Sequence, residues 1–128
     1  MAFDPYKKFS FENLEAYNVA KNLVIEIYKL QRKFPCEELY ALGDQIRRSA
    51  SSITSNMAEG CGRNSYKEKI HFVEIAFGSM TESFSQLQIA VGLGYLTEEE
   101  MEAMRPLYNR VAALLSLLKR SYESKLNE

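Results

Sequence analysis

The chain of 128 residues is poor in the side chains that build metal and catalytic centres. It has one histidine, His71, and two cysteines, Cys36 and Cys61, which are far apart in sequence. A zinc set needs several Cys or His ligands at short spacings, and a di-iron bundle needs two Glu-x-x-His units. Glu68 and His71 supply one such unit, so a solvated His71 is the favoured interpretation. We therefore expect no metal, no cofactor and no catalytic residue, and we predict that the protein is not an enzyme.

Glycine, proline and long apolar runs are also scarce. Six Gly and three Pro are too few for a many-stranded sandwich or barrel. No run of 18 apolar residues is present, and the first residues lack the apolar core of a secretory signal. We therefore expect no membrane contact and, with two reduced thiols, a cytoplasmic location. Sixteen basic against 17 acidic side chains give a net charge of -1, which excludes a strongly basic nucleic-acid coat.

What the sequence does contain is helical periodicity, in four long segments. In the second segment, apolar residues step by three and four from Leu39 to Met57, which places them on one face of a helix. Short links make neighbouring helices run in opposite directions, so the predicted fold is all-α, an antiparallel up-down-up-down four-helix bundle. The predicted helices lie at about 10–34, 37–61, 65–93 and 97–124 of a single domain, 1–128.

Several residues predict where these helices begin and end. Ser65–Glu68 and Thr97–Glu100 have the spacing of capping boxes, in which side chains satisfy the free N–H groups of a helix start. Gly60 and Gly62 follow the second apolar stripe and can take a left-handed cap conformation. Pro106 is the one discordant residue, and it predicts a kink or a late start of the fourth helix.

The helices carry more apolar surface than one bundle can bury. Residues 111–118 are apolar almost all round the helix, and residues 23–28 and 89–93 show the same excess. A helix that is apolar on every side requires burial on every side, which a second chain can provide. We therefore predict a homo-oligomer. The alternative is a surface with scattered single apolar residues, which is common in monomers.

Polar residues on the second and third helices predict a network between them. Four of these residues share one face of the second helix, and two lie midway along the third. Opposite pairing of the two helices would bring Arg48 level with Glu82, so we expect a buried or half-buried ion pair there. The favoured interpretation is a structural network that fixes helix register, and the functional alternative is a ligand or nucleic-acid groove. The network residues are Arg48, Ser52, Asn56, Glu59, Ser79 and Glu82.

Three blocks of the sequence resemble a known family. The stretch QIRRSASSITSNMAEGCGR (45–63), with FENLEAYNVA (11–20) and FVEIAFGSMTES (72–83), is similar to the 23S rRNA-intervening-sequence proteins, which are four-helix bundles. That family is in turn similar to the accessory protein of diversity-generating retroelements. The motif positions that match are Arg48, Asn56, Glu59, Gly60, Ser79 and Glu82.

The resemblance implies a ring-shaped homopentamer without enzymatic activity. It further implies contact with RNA or DNA, or with a protein that handles them, through Arg47, Arg48, Arg63 and Lys67. A ring would present several copies of a modest basic surface at once. The alternative function is a purely structural or adaptor oligomer with no nucleic-acid role.

Overall fold

The structure is a computed structural model that describes residues 2–126, so residues 1, 127 and 128 of the predicted domain lie outside it. The prediction of an all-α fold with four long helices is confirmed, and residues 2–126 contain no strand. Two short 3-10 turns, Ser10–Asn13 and Cys36–Glu38, precede the first two long helices, and a short helix precedes the last. The helices are α1 (Glu15–Gln31), α2 (Leu42–Cys61), α3 (Tyr66–Gly92), α4 (Glu98–Glu102) and α5 (Arg105–Leu126).

The first two helices start later than the apolar spacing predicts. The chain is extended at Leu14, and the amide of Asn18 donates to the carbonyls of Glu12 and Leu14, which terminates the 3-10 turn before α1 begins. Glu38 has a similar effect before α2. One carboxylate oxygen of Glu38 accepts from the backbone N–H of Leu42 (3.0 Å), and the other accepts from the Tyr95 hydroxyl (2.8 Å). Residues 37–41 are therefore the lead-in to α2, and the predicted start at 37 is wrong.

The fourth predicted helix is interrupted, as Pro106 indicated. Thr97 and Glu100 form the expected capping box, with Glu100 N–H donating to Thr97 Oγ1 (3.1 Å) and Thr97 N–H donating to the Glu100 carboxylate (3.0 Å). The short α4 then ends, and α5 restarts at Arg105. Pro106 occupies the first turn of α5, where its missing N–H would have no helical partner in any case.

The hydrophobic core runs along all four long helices. Each contributes side chains with no exposed surface, among them Leu23, Ile46, Leu87 and Leu115. Polar side chains also pair within this core, and between α3 and α5 the hydroxyls of Ser83 and Tyr108 are 2.8 Å apart. Burial raises the pKa of Tyr108 well above its usual range, so its hydroxyl stays protonated and can donate.

Helices α2 and α3 form the most extensive contact in the fold, and Gly60 permits a close approach of the two helices. A Cβ atom at Gly60 would lie 2.7 Å from the Cβ of Phe72. Gly62 has a φ of -86°, so the predicted left-handed cap is wrong there. The left-handed glycine is Gly94 (φ 81°), which ends α3.

Candidate nucleic-acid interface

The predicted network between α2 and α3 forms only at its centre. The hydroxyls of Ser52 and Ser79 are 2.8 Å apart, and the amide of Asn56 donates to the hydroxyl of Ser52 (2.9 Å). One turn away, Ser49 donates to Gln86 (2.7 Å), a pair that the apolar spacing did not reveal. The Ser52–Ser79 and Ser49–Gln86 bonds cross from α2 to α3, so they fix the register of the two helices.

The expected Arg48–Glu82 ion pair is wrong. Arg48 instead donates to Asp44, one turn earlier on the same helix (2.9 Å), and its side chain is 80% exposed. Glu82 is also exposed and accepts from the amide of Gln86 (3.3 Å). Both charges remain in water, so neither needs a partner from the other helix. Arg48, Ser52, Ser79 and Glu82 nevertheless line one shallow polar groove of about 310 Å³.

Arg47 holds the loop between α1 and α2. Its guanidinium donates to the side chain of Gln31 (2.8 Å) and to the carbonyl of Leu39 (2.6 Å). Its side chain is 22% exposed, against 80% for its neighbour Arg48. The geometry therefore makes Arg47 a structural residue and leaves little of it for a phosphate.

Arg63 and Lys67 lie at the opposite end of α2 from Arg47 and Arg48. Sixteen residues separate Arg47 from Arg63, which is about 24 Å along a helix axis. Arg63 pairs with Glu59 (2.6 Å) and lies over the ring of Phe72, with its guanidinium carbon 4.7 Å from the ring centroid. The four predicted contact residues therefore do not form one surface.

The last turns of α5 complete a basic surface that includes Arg63 and Lys67. The rings of Tyr66 and Tyr122 are 5.9 Å apart, and the ammonium of Lys69 is 5.9 Å from the Tyr122 ring centroid. The end of α5 is therefore packed against the start of α3. We call the resulting surface the basic end of the bundle. Its cationic side chains are Arg63, Lys67, Lys69, Lys119, Arg120 and Lys125, and the same segments carry four carboxylates, Glu59, Glu68, Glu74 and Glu123, so the excess of positive charge is two.

Part of this cationic charge is available to a ligand. Lys119 pairs with Glu74 (3.7 Å), and Lys69 donates to the carbonyl of Cys61 (2.9 Å). Lys67 and Arg120 are exposed, and within residues 2–126 neither has a carboxylate within ion-pair distance. The sequence shows an excess of basic residues in the last part of the chain. The contact between α3 and α5 brings these residues next to the cations of the α2–α3 turn.

Burial beside Cys61 keeps the hydroxyl of Tyr122 at the basic end protonated. Tyr122 is half-buried, and this burial, together with the neighbouring thiol of Cys61, raises the pKa of Tyr122 to about 12. The Tyr122 hydroxyl is therefore neutral at physiological pH and adds no negative charge to this surface.

In the described part of the chain, the side chains that could ligate a metal ion are dispersed. Across residues 2–126, no three His, Cys, Asp or Glu side chains are grouped so that they could hold a metal ion. His71 is exposed on α3 and makes an edge contact with the ring of Phe72. Of the helices that the structure describes, none combines the length and the apolar character needed to cross a lipid bilayer.

These features define a small all-α protein of four long helices, with cationic side chains gathered at one end. The chain belongs to the 23S rRNA-intervening sequence protein family, whose model matches residues 12–117. The resemblance carried by the three sequence blocks is thus confirmed.

A solved structure supports the same fold. The chain is similar to a protein of unknown function from the S23 ribosomal protein family of Bacteroides thetaiotaomicron, with a TM-score of 0.73 and 22% identity. The likeness covers 81% of this chain and 97% of that one. No curated protein matches the sequence.

Proposed function

We propose that this protein is a non-enzymatic, oligomeric four-helix bundle that contacts RNA or DNA through its basic end. The observation that carries the proposal is the packing of α5 against the start of α3, which joins two separate groups of cationic residues. Lys67 and Arg120 come from these two groups and are both exposed. Phosphate contacts by such side chains release counterions from the nucleic acid, and this release drives binding without any requirement for base sequence.

The antiparallel up-down-up-down arrangement belongs to this proposal. Along α2, contacts progress from Ser49 to Ser52, while their partners on α3 recede from Gln86 to Ser79. The close approach of Gly60 to Phe72 continues the same progression. Helices that run in opposite directions bring the end of α2, the start of α3 and the end of α5 to one end of the bundle.

Self-association is supported by apolar side chains on the outside of the bundle. Ile25, Ile89, Leu93 and Leu117 are between 44% and 56% exposed. The chain has an accessible surface of 8069 Å², whereas a folded monomer of its mass exposes about 6,900 Å². The surplus is about 1,200 Å², which is larger than the area that one partner buries in a protein interface of ordinary size, about 800 Å². We propose a ring of five copies, as the family resemblance implies.

A ring also compensates for the weak charge of a single chain. The protein has a net charge of -1, and eight of its 16 Lys and Arg side chains pair with a carboxylate of the described residues. Several basic ends on one oligomer can engage the same nucleic acid together, so that each later contact forms at a high effective concentration.

Mobility shift and fluorescence anisotropy with a structured RNA test the nucleic-acid contact. The double variant Lys67→Glu/Arg120→Glu reverses two exposed charges at the basic end. We expect it to weaken binding and to reduce the slope of log affinity against log salt concentration by about two. The matched control, Arg32→Glu/Arg48→Glu, makes the same change in net charge at exposed positions on the opposite end and should bind like the parent.

The same titration distinguishes nucleic-acid binding from the alternative function, a structural or adaptor oligomer. One observation favours a structural or adaptor oligomer. Arg47 and Arg63, two of the four predicted contact residues, already bind side chains of the same chain, Gln31 and Glu59. If the parent protein binds no RNA or DNA at low salt, or if both double variants lose binding equally, the proposed role of the basic end is wrong.

A further inference from the structure

The segment before α1 carries an unusual series of exposed aromatic rings. Phe3, Tyr6 and Phe9 recur every third residue and are 88%, 89% and 72% exposed. Large apolar side chains are seldom so fully solvated, and several of them within one short segment indicate an interaction site. We call residues 3–9 the aromatic arm.

The aromatic arm is held in a defined local conformation. Asp4 accepts from the backbone N–H of Tyr6 (2.9 Å), and Glu12 accepts from the backbone N–H of Phe9 (2.6 Å). The ring of Phe9 stacks on that of Phe11 at 6.1 Å and 13°, and Phe11 makes an edge contact with Tyr17 on α1 at 4.8 Å. One flat face of Phe9 is therefore supported from behind, while most of the ring remains open to solvent.

The charges within the arm differ in their availability. The carboxylates of Asp4 and Glu12 accept from backbone N–H groups of the arm itself. Lys7 and Lys8 are exposed, and the part of the chain that the structure describes places no carboxylate within ion-pair distance of either ammonium. The arm therefore offers two free cations between solvated rings.

We propose that the aromatic arm binds single-stranded nucleic acid, with bases stacked on Phe9 and its neighbouring rings and phosphates contacted by Lys7 and Lys8. Flat aromatic faces interspersed with cations are the combination that holds unpaired strands, because every base has a face to stack whereas paired bases are already stacked. Lys7 and Lys8 lie between the rings, so charge complementarity favours a ligand that alternates flat apolar groups with negative charges, as the bases and phosphates of an unpaired strand do. This inference rests on the proposed nucleic-acid contact and names its substrate class.

The arm also lies on the same side as the basic end. The 3-10 turn that follows the arm contacts α2. On α1, Tyr28 reaches the carbonyl of Arg47, near the start of α2, so the beginning of α1 approaches the end of α2. A strand that leaves Phe9 can thus continue towards Arg63 and Lys67.

A fluorescence titration tests the stacking directly. The chain contains no tryptophan, so Phe9→Trp introduces a single reporter at the supported ring. We expect its emission to be quenched by a short oligouridylate and to change far less with an RNA duplex of equal length. Equal responses to both, or a response to lipid vesicles and not to RNA, would overturn the inference.

Affinity measurements on three variants complete the test. Phe9→Ala and Phe9→Leu should each weaken oligouridylate binding by about 5- to 150-fold, since leucine preserves apolar area but cannot stack. The control is Tyr40→Ala, which removes a ring that is more exposed than Phe9 (89% against 72%) but lies in the loop before α2, and it should bind like the parent. Light scattering on each variant checks that the oligomer is unchanged.

The outcomes separate this inference from the proposed function. Normal binding by Phe9→Ala, or full rescue by Phe9→Leu, would refute base stacking. If Lys67→Glu/Arg120→Glu still weakened binding in that case, the proposed role of the basic end would stand. If Phe9→Ala breaks the oligomer, the arm is an assembly contact and the inference is wrong. If the parent binds neither single-stranded nor duplex RNA, both proposals fail together.

Discussion

The close contact between α2 and α3 at Gly60 leads to a quantitative prediction. An alanine there would place its Cβ 2.7 Å from the Cβ of Phe72, whereas carbon atoms pack best at about 3.5–4.0 Å. The two helix backbones must therefore separate by about 1 Å. Overpacking of this kind costs about 1–3 kcal/mol, and the better helix propensity of alanine returns at most about 1 kcal/mol. We expect Gly60→Ala to lower the free energy of unfolding by about 1–2 kcal/mol.

Gly78 provides the matched control because it lies within α3 and its added Cβ would meet no atom within 4 Å. Gly78→Ala should raise the free energy of unfolding by about 0.5–1 kcal/mol through helix propensity alone. Urea denaturation at one protein concentration measures both, since the stability of an oligomer depends on concentration. Light scattering on the folded samples checks that neither change alters assembly. If Gly60→Ala is as stable as Gly78→Ala, the close approach at Gly60 does not limit the packing of α2 on α3.

Two further predictions concern polar contacts. Tyr108→Phe removes the hydroxyl that meets Ser83 in the core (2.8 Å) and should cost about 1 kcal/mol in urea denaturation, while unchanged stability would mean that this bond contributes nothing. The pKa of Glu100 is lowered, first by the Lys33 ammonium and then by the backbone N–H of Thr97, so its stabilising contribution is present above its unfolded pKa and is lost as pH falls through its folded pKa. The stability difference between the parent and Glu100→Gln should therefore shrink as the pH falls below 4.5, the ordinary pKa of a Glu carboxyl, and a difference independent of pH would contradict the assignment.

The positions of the helices could be predicted from sequence because they depend on local signals. The stripe from Leu39 to Met57 identified α2, and the Thr97–Glu100 capping box marked the start of α4. The predicted start of α2 was wrong because Glu38 bonds to Leu42 and to Tyr95, which is 57 positions away. Periodicity carries no information about a contact over such a separation.

The candidate site was predicted less well because it depends on side-chain direction and on tertiary contacts. Arg47 and Arg48 are adjacent in sequence, yet one is held by the α1–α2 loop and the other is solvated. The pairing of Arg48 with Glu82 failed since Asp44, one turn away on the same helix, provides a nearer partner. The cations of α5 join the site through the packing of α5 on the start of α3, as in the contact of Tyr122 with Tyr66, which the sequence does not encode locally.

The sequence shows the aromatic residues of the arm, but it does not predict that their rings are exposed together on one surface. Phe3, Tyr6 and Phe9 are typical core residues, and a mixed polar segment gives no sign that their rings stay in solvent. Only the structure shows that the start of α1 leaves them outside the bundle.

The proposed binding surface depends on assembly of copies through the outer apolar face, because a ring would present several basic ends together. Size-exclusion chromatography with multi-angle light scattering at micromolar concentration measures it most directly. We expect a single species of about five times the chain mass of 14.7 kDa. A particle with the mass of one chain, stable across the concentration range, would contradict the ring and the shared binding surface built on it.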